Sequence, residues 1–332
     1  MNSNDTSPAN ELDCIRRVRG SRACRNTFHR LVLGRRETAV KLINDESLVF
    51  TTLFILRPVI EETNLYDQLC DRNLIALDLC ERIVQNKLPG SGKAAPYSLD
   101  DEGVHLVLLW MFQTGRADDG LSEEFDQILD IAASILIKTH HEKMILPQVA
   151  DLLFLRNRGG KYVHDLAWAY MQSREPDALR HIAKRLISQS RSDNELAAEL
   201  LHMNTDDLKS ARGRQKKYTE FSEWLKENDS YLYFTGESFQ LTNNPVVCDV
   251  DLEAKYLSKK ISPRNRKPID PLTEEENGSL KQFKDTQDED KTALAKYSHK
   301  LHDEDPDNWS KWMHMPVMEQ VRTAREGRRE LV

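Results

Sequence analysis

Between Ser122 and Met203, apolar residues recur every three or four positions in short blocks, and the breaks between blocks are only a few residues long. A stripe with that period coats one face of an α-helix. Connections that short force successive helices to lie antiparallel. Such a chain must bury its stripes helix against helix, so the expected fold is mainly α: an irregular helical solenoid or multi-helix bundle. Ser122 reads as the N-cap of a helix reaching about His140, with Glu123 and Glu124 at its positive end. Further helices are predicted over 148–157, 162–173, 176–188 and 193–203. Pro147 and Pro176 stand where helices begin, because the first turn needs no proline N–H. The blocks share no repeating consensus, so no named repeat family is implied.

Composition agrees. Gly (13) and Pro (12) are scarce among 332 residues, while 30% are charged and 39% hydrophobic. That balance suits helices with a large surface relative to the core. The longest apolar runs, 48–56 and 104–112, fall well short of the roughly 20 residues needed to span a bilayer. The polar N-terminus has no leader pattern, so no membrane association is expected and a cytoplasmic location is the default.

The expected organisation starts with a disordered tail over 1–9 and an N-terminal helical subdomain over 10–86. Within that subdomain one helix breaks near Gly20 and another stops at Pro58. The loop at 87–99 is the expected seam. A helical array follows over 100–228, in which Gly115 looks like a left-handed helix stop. Residues 229–261 hold a small β-hairpin or strap, centred on the aromatic stretch 231–241, plus a short helix. The polar stretch 262–307 reads as a flexible charged linker in a mobile C-terminal tail. It leads to a Trp/Met-rich anchor segment over 308–332.

Five cysteines cannot all pair within one chain. Cys14/Cys24 and Cys70/Cys80 share a ten-residue offset but lack the tight knuckle of a zinc site, so reduced thiols are expected.

Two features suggest binding. Trp309, Trp312, Met313, Met315 and Met318 form an aromatic and thioether cluster of the kind that anchors protein contacts. The same cluster could instead fold back onto the helices of its own chain. Arg16, Arg17, Arg19, Arg22 and Arg25, followed by Arg30, Arg35 and Arg36, make the N-terminal region basic in a chain of net charge −7. Arginine rows grip phosphates, so nucleic-acid binding is the alternative reading. A second basic cluster runs from Lys209 to Lys217.

Enzymatic patterns are thinner. His140, His141, the His164–Asp165 pair and the later Asp193, on an all-α scaffold, resemble the HD phosphohydrolase family at those few positions. The resemblance implies a divalent ion on His164 and Asp165 that would acidify a bound water. Gly90 to Lys93 fails as a phosphate loop, since Lys87 stands where glycine is needed and Ala94 where a hydroxyl should bind magnesium. The acidic turn Asp118–Gly120 lacks the alternating ligands of a calcium loop. The expectation is therefore a noncatalytic helical scaffold or adaptor with a protein partner, and no catalytic residue, metal or cofactor is assigned. A nucleic-acid-associated protein comes second and a metal-dependent phosphohydrolase a distant third.

Overall fold

The computed structural model describes residues 10–85, 97–237 and 246–329. Among those residues it is mainly α-helical with one two-stranded antiparallel sheet. No described helix is long and apolar enough to cross a membrane. The chain divides into two compact units, the first holding residues up to Leu153 plus Val163–Tyr170, the second Phe154–Tyr162 and everything from Met171.

In the first unit run α1 (Glu11–Gly34), α2 (Arg36–Ile43), α3 (Phe50–Glu62), α4 (Asp71–Val84), α5 (Glu102–Gly115) and α6 (Glu123–Lys138). Helices α7 (Leu146–Arg158) and α8 (His164–Met171) are shared between the units. Helices α4 and α5, on either side of the expected seam at 87–99, pack together in one unit. The core of this unit is aromatic at its centre. Phe50 stacks on Phe125 at 5.6 Å and meets Trp110 edge-on at 5.8 Å, while Phe54 tilts against Phe125 at 5.0 Å.

Local signals explain several ends and bends. The Ser122 hydroxyl caps α6 by accepting from the Phe125 N–H. Gly20, at φ +83°, breaks α1 as expected. In a straight helix Cys24 would lie about 18 Å beyond Leu12. Instead its thiol reaches the Leu12 carbonyl at 3.4 Å, so the two halves of α1 fold together. Helix α3 has no side-chain cap of its own. Thr114 Oγ1 accepts from the Phe50 N–H at 2.9 Å, and the buried Asp13 carboxylate accepts from the Val49 N–H at 3.2 Å. Both satisfy donors that a helix start leaves unpaired.

One expected stop fails, and the other, Gly115, ends its helix as expected but without the expected handedness. Helix α3 runs through Pro58 to Glu62. The proline forfeits one hydrogen bond, at about 3 kcal/mol. Leu53, Leu56, Val59 and Ile60 are buried on both sides of it, and each contributes about 1.5–3 kcal/mol. Gly115 is right-handed (φ −87°, ψ −33°), not left-handed. Its reason is space, since an added Cβ would lie 2.9 Å from Leu129, 3.1 Å from Phe50 and 3.3 Å from Phe125.

The second unit contains α9 (Pro176–Ala183), α10 (Arg191–Leu200), α11 (Ala211–Asn228), β1 (Leu232–Phe234), β2 (Cys248–Val250) and α12 (Leu252–Tyr256). It ends with α13 (Glu274–Lys284), α14 (Asp288–Glu304), α15 (Pro306–Met313) and α16 (Val317–Arg329). The strands pair Leu232 with Val250, Tyr233 with Asp249 and Phe234 with Cys248. The second strand thus comes from beyond the aromatic stretch in which a hairpin was expected, and residues 238–245 lie outside the described residues.

The expected linker over 262–307 is largely helical instead. A capping box joins Thr273 and Glu276 at the start of α13. Leu280, Phe283, Leu294 and Ala295 are sparse, but their spacing puts them on inward faces. They join Tyr256, Leu257, Trp312, Val321 and Ala324 in one buried cluster. Tyr256 stacks on Phe283 at 4.5 Å and donates to Gln320 Oε1 at 2.7 Å. A few large residues at the right period offset the ordering cost that composition alone would leave uncompensated.

Candidate functional site

The tryptophans of the C-terminal anchor face inward. Trp312 is 3% exposed, and Trp309 and Met313 pack against the cluster around it. The Trp309 indole N–H donates to Ser298 Oγ at 2.8 Å, and that hydroxyl donates to the Tyr256 carbonyl at 2.5 Å. Met315 (41%) and Met318 (73%) remain outside. Of the two alternatives for this segment, the chain adopts the fold-back for its tryptophans.

An apolar groove of about 350 Å³ opens elsewhere in the second unit. Leu179 of α9, Leu200 and Leu201 at the end of α10, Phe221 and Trp224 of α11, and Val247 beside β2 form its walls. Phe221 and Trp224 stand three residues apart on one helix face, with ring centroids 5.5 Å apart. Trp224 and Val246 are exposed. In sequence, Phe221 and Trp224 look like an ordinary packing face. Nothing there shows that Leu200, Leu201 and Val247 converge on it.

The basic residues divide sharply. Arg16 is buried, donating from Nη1 to Asp118 at 2.8 Å and from Nε to Thr52 Oγ1 at 2.9 Å. Arg17, Arg19, Arg22, Arg25 and Arg35 are exposed and make no ion pair with a carboxylate among the described residues, although Arg17 lies near enough to the buried Asp13 to favour its charge. Arg30 and Arg36 bond neutral oxygens of Asn26, Gln68, Thr63 and Asn64. The downstream cluster is largely paired: Lys209 with Asp206, Lys217 with Asp207 and Glu220, and Lys216 with Glu220.

A polar pocket of about 470 Å³, also in the second unit, gathers Glu227, Tyr231, Ser258, Lys260, His299 and Asp303. The Tyr231 hydroxyl is 3.2 Å from His299 Nδ1, and His299 Nε2 is 3.7 Å from Asp303. Burial holds the His299 imidazolium below its ordinary range despite Asp303. Burial likewise raises the Tyr231 phenol, although Ser258 lies close enough to oppose this. The Ser258 hydroxyl is buried and not aligned for a hydrogen bond of its own. The buried Lys255 ammonium donates to Glu227 at 2.6 Å and Asn228 at 2.7 Å. Burial opposes the Glu227 charge, but Lys255 outweighs it and keeps that carboxyl low. The Tyr231–His299 contact joins two of the lining groups directly, and the pocket's members are scattered too widely in sequence to form a motif.

The remaining signals resolve locally. His164 Nδ1 lies 3.4 Å from Asp165. The Asp193 carboxylate takes both its oxygens to Arg158, at 3.0 and 2.9 Å, and accepts from Ser188 at 2.9 Å. Asp118 of the acidic turn is the partner of Arg16 and Thr51. Among the described residues, no group of three or more His, Cys, Asp or Glu side chains is arranged to hold a metal ion. The cysteines are free, and burial pushes Cys80 up to about 12 and Cys24 and Cys248 to about 11, although Cys14 is exposed. Gly90–Lys93 lies outside the described residues. The chain matches no family model, no curated protein and no solved structure.

Proposed function

We propose that the protein is a noncatalytic helical adaptor whose second unit receives an apolar segment of a partner protein in the groove between α9, α10 and α11. The observation that carries this reading is the pairing of Phe221 with the exposed Trp224 over a leucine floor. An aromatic ring at the lip of an apolar pocket is the usual energetic centre of a protein contact. A helix built wall on three sides suits a partner helix that inserts one or two large side chains at a spacing of three or four residues. A monomer gains nothing by leaving such a surface wet.

Selection from a displayed peptide library against the full chain tests this. Enriched peptides should carry aliphatic or aromatic residues at helical spacing. They should bind Trp224→Asp at least about tenfold more weakly, a loss of about 1.4 kcal/mol, with its melting temperature unchanged. Equal binding to both proteins, or no enrichment, rejects the adaptor groove.

A further inference from the structure

We propose that the outward face of α1 in the first unit is a docking surface for an acidic helix of another protein that also carries leucine-like side chains. The region from Glu11 to Arg36 holds eight arginines and no lysine. Arg16 alone is internal and ion-paired. Arg19, Arg22, Arg25 and Arg35 are exposed and make no ion pair with a carboxylate among the described residues, Arg17 is exposed with only the buried Asp13 near enough to feel its charge, and the bonds of Arg30 and Arg36 are to uncharged oxygens. A solvated face built for solubility would interleave acids, and like charges three or four residues apart weaken a helix by about 0.2–0.5 kcal/mol per pair. Arg22 and Arg25 stand in that relationship. Positive charge concentrated in this way, in a chain of net charge −7, is complementary to an anionic partner. Guanidinium groups, weakly hydrated and forked, fit carboxylates in pairs.

The class of anion follows from what stands among the arginines. Val18, between Arg17 and Arg19, is 82% exposed, and Leu33, beyond Arg30, is 72% exposed. A phosphate backbone offers such aliphatic groups nothing, whereas a protein segment covers them. The phenyl ring of α1, Phe28, is fully buried, so this face has no phenyl platform on which bases could stack. Arg22, Asn26, Arg30 and Leu33 recur at three-to-four spacing along the outer ridge of the second half of α1, with Arg25 beside them. That ridge is about 16 Å long. It matches a partner helix with glutamates at the same spacing and a leucine at one end. This surface is separate from the Trp224 groove, and each stands or falls without the other.

Fluorescence anisotropy with the full chain provides the test. One probe is a labelled helical peptide with glutamates and leucines at that spacing. The others are the same peptide with serine for leucine, and short single-stranded and duplex DNA. The leucine peptide should bind at low salt and weaken as salt screens the charges. The triple substitution Arg22→Gln, Arg25→Gln and Arg30→Gln should cost at least about tenfold in affinity, about 1.4 kcal/mol, with an unchanged circular dichroism melt. Val18→Ser with Leu33→Ser should cost a smaller factor, and Trp224→Asp none. No peptide binding at low salt overturns the proposal, as does affinity indifferent to the arginine substitutions. DNA binding tighter than the leucine peptide would make the face a nucleic-acid interface instead.

Discussion

Arg16 and Asp118, 102 residues apart in sequence, meet at 2.8 Å inside the first unit. The guanidinium is 8% exposed, and Asp118 also accepts from Thr51 at 2.7 Å. The pair therefore ties α1 to α3 and to the turn after α5. Removing the acid strands a buried cation, which costs more than the pair itself contributes. Asp118→Ala should destabilise the unit by about 2–4 kcal/mol in urea unfolding, somewhat reduced because Asp118 is partly solvated. The double change Arg16→Met with Asp118→Leu should recover most of that loss. A single-substitution cost below about 0.5 kcal/mol would show that solvent replaces Asp118 and that the pair does not organise the fold.

Gly115 and Gly103 lie on the same helix, α5, yet alanine should act on them in opposite directions. At Gly115 the new methyl meets Leu129, Phe50 and Phe125 at 2.9–3.3 Å, in a core with no slack. Overpacking of that kind costs about 1–3 kcal/mol, more than the roughly 1 kcal/mol gained from helix propensity. A Cβ at Gly103 meets nothing within 4 Å, so Gly103→Ala should be neutral or stabilising by up to about 1 kcal/mol. Chemical denaturation of both variants checks the pair. Equal effects would mean that the core around Phe50 yields.

The same glycine shows where the sequence can be read and where it cannot. Ser122 and Gly20 were legible because a cap and a helix break are written in adjacent residues. Pro58 carries the local chemistry of a helix stop yet lies inside α3, and Gly115 ends α5 but not in the left-handed form its type suggests. What decides them is a tertiary neighbour: Leu129 and Phe50 over the glycine, and buried Leu56 and Val59 flanking the proline. The helices α13 and α14 hid behind a polar composition, since Leu280, Phe283 and Leu294 are few but placed at the right period. The groove and the polar pocket were out of reach altogether. Leu179 and Val247, or Tyr231 and His299, are 68 residues apart in each case, and no local pattern records that they meet.

Two histidines should make stability fall on acidification. The His105 and His140 rings stack with centroids 4.5 Å apart and planes within 13°. Glu142 is 3.2 Å from His105, and His140 Nε2 is buried with no hydrogen-bond partner among the described residues. Burial first, and the neighbouring His105 second, hold His140 below its ordinary range, against the Leu99 carbonyl and Asp100. His299 in the second unit is lowered as well, chiefly by burial. A histidine whose folded-state pKa is depressed binds fewer protons when folded than when unfolded. Its stabilisation is present above about 6.5 and is lost as pH falls from there through the folded value. The melting temperature should therefore be lower near pH 5.5 than near pH 7.5. His140→Gln and His299→Gln should each shrink that difference. The exposed His314, raised by the Ser310 carbonyl and Glu275, acts with the opposite sign, so His314→Gln should enlarge it. A profile that rises on acidification would contradict this assignment.

Trp312 and Met318 lie six residues apart in the C-terminal segment and should respond very differently to truncation. Trp312 fills the cluster with Tyr256, whose ring it meets edge-on at 6.1 Å, and with Tyr297 at 5.3 Å. Trp312→Ala should cost about 3–5 kcal/mol, the usual range for emptying an aromatic site. Its indole N–H, however, is buried with no partner among the described residues, a burden of about 1–3 kcal/mol. Trp312→Phe removes that burden along with some contact area, so it should stay within about 1 kcal/mol of the parent. Met318, largely in water, should tolerate serine within about 0.5 kcal/mol. Urea unfolding followed by near-ultraviolet dichroism orders the three variants. If Trp312→Ala proved as mild as Met318→Ser, the segment would not be part of the folded core. The tryptophans would then be available to a partner after all.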